Sequence, residues 1–357
     1  MSSVLHAARG RGVLATALVP VLALALTAVV LVSASVGTIP VTPLEGGRIL
    51  LGHLLPGMPW MSDGSLTGAQ DNAVWRFRLP RTLLAAAAGA GLALAGALLQ
   101  AVVHNALAEP YILGVSAGAG VGAVGCIVLG VGVSALGISL AAFLGAALAT
   151  AAVYVLARKG GRVAPQRLIL AGVALGSLFG AVTSYLTIST DAQNVYSVLF
   201  FLLGSVSAAS FGQVGPPVAA LLLVGGFALL HARALNALLI GDDAARSVGV
   251  DVDRFRTQLL LASALLTGAV VSVAGGIGFV GLVVPHVARI LVGADHRRML
   301  PVAVLGGAVF LSLCDLLART VAQPAEVPLG VLTALVGAPF FLWLLRRDRA
   351  DAAGVGR

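Results

Sequence analysis

From Val13 to Val32 the chain carries no charged side chain, and stretches of the same character recur as far as residue 345. An apolar run of roughly 20 residues matches the hydrocarbon thickness of a bilayer when it is helical. The recurrence predicts an all-α, polytopic membrane protein with about ten spans. They are placed at 13–36, 79–100, 111–130, 134–157, 168–188, 213–231, 257–280, 282–293, 301–319 and 329–345. The eighth is short and contains Pro285, which predicts a broken or partly re-entrant element. The segment 189–212 lacks the length to cross twice and predicts a short external helix around 196–203. Ten spans with short connections use nearly all of the 357 residues. One transmembrane domain, 13–345, is therefore expected between tails at 1–12 and 346–357. The first run also exceeds the roughly 7–15 apolar residues of a secretory signal, so it reads as a first span.

Composition agrees: 59% of residues are hydrophobic and 10% charged, with a mean hydropathy of +1.03, outside the range of soluble domains. Gly172, Gly176 and Gly180, like Gly114, Gly118 and Gly122, recur every fourth residue, a spacing that lets helix backbones approach in lipid. Cys126 and Cys314 each lie in an apolar run, so neither a disulfide framework nor a thiolate metal site is indicated. The net charge of +8 fits cytoplasmic loops enriched in Lys and Arg, not a nucleic-acid partner.

With the amino end inside, every Lys and Arg except Arg48, Arg76, Arg78, Arg81 and Arg319 falls on the cytoplasmic side. This bias predicts both termini cytoplasmic. Arg78 and Arg81 open the second span and Arg319 closes the ninth. They read either as snorkelling or locally paired cations, Asp315 standing one helical turn before Arg319, or as a docking surface for an acidic partner.

The internal connection 235–256 is too polar to span and reads as two short helices, with Asp242 or Asp243 capping the second and Gly249 ending it. Ala245 and Val248 then form a small exposed apolar patch, suited either to a partner's groove or to the chain's own bundle. The turn His104–Pro110 offers Asn105 and Leu107 either as a plug or as hairpin caps. His286 has no second ligand at metal-binding spacing. No nucleophile with its base, no paired carboxylates and no phosphate-binding GxxxxGK[ST] occur, so ATP hydrolysis and other catalysis are not expected of this chain. A membrane-embedded enzyme would need an intramembrane catalytic pair. An ion-coupled secondary transporter would place ionisable groups at mid-membrane, where only Asp315 qualifies.

Several stretches together resemble the FecCD-type permeases, importers of iron–siderophore complexes, haem and cobalamin: RLPR (78–81), GALLQAVVHNALAEPYILGVSAGAG (96–120), LILAGVALG (168–176), GDDAARSVGV (241–250), GGIGFVGLVVPHVARILVGADHR (275–297) and EVPLGVLTALVGAPFF (326–341). The resemblance implies a cobalamin-importer-permease-like bundle in a bacterial cytoplasmic (inner) membrane. Its partners would be a second permease subunit, two cytosolic ATPases and an external solute-binding protein. An identical second copy is the simplest assumption. No cofactor is expected on this chain, because the partner ATPase uses the ATP. By resemblance Arg78, Arg81 and Arg319 dock the binding protein. Gly241, Asp242, Asp243, Ala244, Ala245, Val248, Gly249 and Val250 form the ATPase coupling loop. Asn105 and Leu107 belong to the cytoplasmic gate, where Ala106 replaces the family's usual proline. The inner spans, built of Ala, Gly, Val and Leu, offer no ligands for a bare metal ion, which suits a pre-wrapped cargo. A ferric siderophore is expected, with haem and cobalamin as alternatives.

Overall fold

The computed structural model describes residues 2–55, 57–132, 134–159, 162–323 and 325–354. Its helices are α1 (Ser2–Ser35), α2 (Pro43–Leu54), α3 (Gly68–Asn72), α4 (Leu79–Val103), α5 (Val115–Leu129), α6 (Ala135–Ala157), α7 (Pro165–Ile188), α8 (Ala192–Leu203), α9 (Phe211–Leu230), α10 (Ala232–Ile240), α11 (Asp242–Ser247), α12 (Val252–Ala274), α13 (Val280–Val292), α14 (His296–Ala318) and α15 (Leu329–Gly354). Among the described residues the strand pairing is one two-residue ladder, Arg158–Lys159 with Arg162–Val163.

Each predicted span coincides with a helix, and the predicted external helix is α8. Among the described residues, seven helical stretches can each cross a bilayer by length and composition, and α5, α8, α13 and the apolar part of α15 are shorter. The helices extend into both predicted tails. Met1 and residues 355–357, including Arg357, lie outside the described residues.

α4 forms the axis of the bundle. A helix apolar on every side lies in a protein core or in lipid, and α4 takes the first place, every residue from Ala87 to Val102 being buried. It packs against α9, α12, α13 and α14. Its alanines and glycines set how close these partners come: a Cβ on Gly96 would overlap the Gly281 carbonyl of α13, and one on Gly89 the Gly307 carbonyl of α14. Gly118 and Gly122 seat α5 on α6 in the same manner, and Gly172 seats α7 on the Ile112 carbonyl. Gly176 and Gly180 behave differently from the spacing argument, since a Cβ on either would meet nothing within 4 Å among the described residues. Gly114 is used for its backbone, with φ +71 at the entry to α5.

The break near the eighth span is real but displaced. Pro285 lies inside α13, and the chain is unwound instead over 275–279, with Gly275 at φ 70 and Phe279 at φ 68. Proline frees the carbonyl four residues earlier, here that of Gly281, and Gln100 Nε2 lies 3.3 Å from it. The helix survives its proline because α4 supplies the missing donor.

Between the first two spans, residues 37–78 fold into α2, α3 and a π-turn over Ala73–Arg78. Both helices start at capping boxes, Thr42 with Glu45 and Thr67 with Gln70. That motif is visible in the sequence and marks helix starts outside the spans.

Candidate functional site

Two clusters of polar side chains stand at opposite ends of the bundle, joined through a third in its interior. At the end carrying residues 36–78, the antiparallel pairing of α4 and α14 brings Arg81 beside Asp315. Arg81 Nε donates to Asp315 Oδ1 at 2.8 Å, and Nη1 donates to Glu326 Oε1 at 2.7 Å. Arg319 Nη2 reaches Asp315 Oδ2 at 3.3 Å and donates to Ser33 Oγ at 2.7 Å. Arg78 donates to the carbonyl oxygens of Ala34 and Ser35 at 2.7 and 3.2 Å, closing the carboxyl end of α1. Asp315 is 0% exposed, so its charge is tolerated only because two guanidinium groups flank it.

The three arginines do come together, but not as open cations. Arg78 is buried, and the Arg81 and Arg319 side chains are 11% and 8% exposed. The predicted pairing of Asp315 with Arg319 holds, while Arg81, Glu326 and Ser33 complete a network that no local spacing could reveal. Arg78, Arg81, Arg319 and Glu326 line a cleft of about 620 Å³ together with Phe77 and Gln323, with Asp315 buried behind them. Three arginines against two carboxylates leave the cleft with an excess of one positive charge.

At the other end, α10 and α11 form the two short helices expected of 235–256. Gly241, at φ 133, caps α11, and Gly249, at φ 86, follows it. The cap is thus not Asp242 or Asp243. Asp242 pairs with Arg256 of α12 at 2.8 and 3.0 Å, and Asp243 pairs with Arg246 at 3.2 Å. The predicted apolar patch is also revised. Ala245 is 0% exposed and faces the chain's own core, whereas Val248 is 68% exposed, and Leu239 and Ile240 at the end of α10 are exposed too. Ala244 and Val250 are half-buried.

The turn after α4 stands against this loop. His104 takes the left-handed conformation, φ 53, and its Nε2 lies 2.8 Å from the Leu238 carbonyl of α10. Asn105 Oδ1 accepts from the Leu107 N–H at 2.9 Å, so the amide side chain holds the turn while Leu107 stands at its exposed tip. Asn105 is therefore the hairpin cap.

Between the ends, the turn and the unwound 275–279 segment satisfy each other's backbone. Tyr111 Oη donates to the Ile277 carbonyl and accepts the N–H of the same residue, both at 2.8 Å. Glu109 Oε1 accepts from the Phe279 N–H at 2.7 Å. Irregular backbone within a bundle persists only where side chains replace its missing partners. Gln100 adds to this: its Oε1 accepts from Arg289 Nη2 at 3.0 Å, which orients its NH₂ toward the Gly281 and Leu282 carbonyls. Sequence reasoning missed Gln100, Glu109, Tyr111 and Arg256. A polar residue in an otherwise apolar span, as Gln100 is, was the one available signal.

At the second-cluster end, Asp295 caps α14. Burial pushes its carboxyl up, but the Asn236 hydrogen bond, the Arg297 N–H and the charges of Arg298 and Arg297 outweigh that and hold it below its usual range. The bond from Asn236 Nδ2, 2.7 Å long, fastens α10 to α14.

The sequence model of the FecCD transport family matches residues 25–347. The chain is 40% identical over 351 residues to the cobalamin import system permease protein of Halobacterium salinarum, covering 90% of this chain and 93% of that one. It is 41% identical over 294 residues to the hemin transport system permease protein of Yersinia pestis, covering 80% and 87% respectively. Among solved structures, an inward-facing metal-chelate type ABC transporter superimposes with a TM-score of 0.79 at 31% identity, over 92% of this chain and 98% of that one.

Proposed function

The chain belongs to the FecCD transport family, and from that premise we propose that it is the membrane-spanning permease subunit of a binding-protein-dependent importer of bulky metal chelates. Hydrolysis of ATP falls to separate ATPase subunits. The observation that carries this reading is the α10–α11 loop: exposed apolar Leu239, Ile240 and Val248 on a base fastened to α12 by the Asp242–Arg256 pair. A loop of that kind suits insertion into a groove of a soluble partner. Val248→Asp places a charge in that contact without touching the permease core, and is expected to weaken ATPase co-purification roughly tenfold or more. Normal co-purification and normal uptake would remove the loop from the coupling role.

The loop end is cytoplasmic on this reading, with both termini inside, in keeping with the bias of Lys and Arg. The arginine-lined cleft then faces outward, and its excess positive charge suits acidic groups of the solute-binding protein. Reversing Arg78, Arg81 and Arg319 would break the internal network, so the test uses Phe77, exposed at the cleft rim. Phe77→Glu is expected to lower binding-protein-stimulated ATP hydrolysis several-fold, with a larger deficit at low salt, where the added repulsion is least screened. Stimulation equal to that of the native protein argues against docking here. The open face of α7 at Gly176 and Gly180, beside exposed Val173, supports packing against a second copy of the chain.

The cargo is a metal complex that arrives already chelated. The names borne by the cobalamin and hemin relatives shift preference from a ferric siderophore toward a corrin or porphyrin chelate. Proteoliposomes holding the complex, with ATP sealed inside and its cognate binding protein outside, are offered cobalamin, haem and ferric siderophores on the binding-protein side. ATP-dependent uptake of cobalamin or haem is expected. Uptake of siderophores alone overturns the cargo, and uptake driven by an ion gradient without ATP overturns the importer reading.

A further inference from the structure

On the reading that α11 is the ATPase seat, we propose that Asp242, Arg256 and His104 form a relay of positioning residues. The relay ties that seat to the turn after α4, so that a displacement of α11 is carried to Asn105 and Leu107.

The argument begins with the guanidinium of Arg256, a planar fork that donates in fixed directions and cannot accept. Nη2 and Nη1 hold the two oxygens of Asp242 at 2.8 and 3.0 Å, a bidentate grip that fixes orientation as well as distance. Nε donates to the Val102 carbonyl in the last turn of α4, at 3.3 Å. Nη2 also reaches His104 Nδ1 at 3.4 Å. Because arginine only donates, Nδ1 must be the acceptor. The ring proton is then on Nε2, which donates to Leu238 O of α10. One guanidinium therefore joins α11, the end of α4 and the first residue of the gate turn, and His104 carries the connection back to α10.

Two further features make this a linkage rather than a general filling of space. Asp242 follows Gly241 directly, whose φ of 133 is open to glycine alone and whose missing Cβ would meet nothing within 4 Å. α11 is thus attached to α10 through a backbone conformation that only glycine supplies, and the Asp242–Arg256 grip helps to decide how it is set. At the other end His104 is held left-handed without being glycine. The turn carrying Asn105 and Leu107 leaves α4 in a direction that this side chain's contacts help to impose.

The test uses the whole importer in proteoliposomes with its cognate ATPase and binding protein, measuring ATPase co-purification, ATP hydrolysis and cargo uptake on each sample. Asp242→Asn keeps the shape but removes the charge, and Arg256→Lys keeps the charge but removes the fork. In both, the ATPase is expected to co-purify while uptake per ATP hydrolysed falls about tenfold, within the range of ordinary inter-site coupling. Asp242→Arg and Arg256→Asp are each expected to abolish uptake, and the two combined to restore a measurable part of it. A brace serving stability alone would instead lower yield and leave the ratio of uptake to hydrolysis unchanged in whatever complex assembles. That result overturns the relay, as does a charge swap no better than its single variants. Should Arg256→Lys fail to fold, Asp242→Asn decides alone, because Asp242 is half-exposed and its loss spares the core. Failure of the underlying reading looks different: the native complex itself would show no ATP-dependent uptake, or Val248→Asp would leave the ATPase bound and active.

Discussion

Replacing Arg81 by glutamine is expected to remove most of the folded permease from detergent extracts. Asp315 is fully buried and shared between Arg81 at 2.8 Å and Arg319 at 3.3 Å. Removing one partner of a buried ion pair costs about 3–5 kcal/mol, because the remaining charge keeps its desolvation penalty and loses the attraction that offset it. Glu326 adds less, since its side chain is 34% exposed and water screens it. Against the stability of an ordinary domain such a loss is large. The double change Arg81→Gln with Asp315→Asn is expected to recover part of the yield, as both charges of the pair vanish together. Size-exclusion profiles and thermal melts of the three proteins decide the matter. A single variant that melts with the native protein would mean that Asp315 is satisfied without Arg81, and that the arginine is held for docking alone.

Gln100→Leu is the second change with a large expected effect, and it acts on mechanism as much as on stability. The residue is 3% exposed in the most enclosed helix of the bundle. Leucine fills the same space but deprives Arg289 of its acceptor and leaves the Gly281 carbonyl, freed by Pro285, without a donor. A hydrogen bond to a charged group is worth about 1.5–3 kcal/mol, and the lost donor adds to that. The contact of α4 with α13 and with the turn that follows α4 is expected to loosen, giving lower yield and leak of cargo without ATP. Gln100→Glu separates the two halves of the amide. It offers Arg289 a stronger partner but turns a carboxylate oxygen toward the Gly281 and Leu282 carbonyls, so it is expected to fail as well. Native melting and tight vesicles in the Glu variant would show that only the contact with Arg289 matters.

The membrane class, the positions of the spans and the motif-bearing loops were legible in the residues, because each depends on a local pattern: a run of apolar side chains, a glycine at a turn, a basic flank. The same locality explains the misplacements. Pro285 reads as a helix breaker when its neighbours in space are unknown, and becomes an ordinary helical residue once Gln100 stands against Gly281. Ala245 and Val248 look alike on a helical projection of 241–250. Which of them faces outward depends on how the Asp242–Arg256 pair orients α11.

By itself, then, the sequence determined that this chain crosses a bilayer many times as helices, since no other use of its apolar runs satisfies their backbone in lipid. Its family motifs marked the two loops where partners are proposed to bind. Only the tertiary structure decided that Arg78, Arg81 and Arg319 form one enclosed network with Asp315 and Glu326, that Gln100 makes good the backbone freed by Pro285, and that Arg256 joins the α10–α11 loop to the turn after α4. These are pairings between residues far apart in the chain. Their partners are chosen by the packing of whole helices, and no periodicity along the chain encodes them.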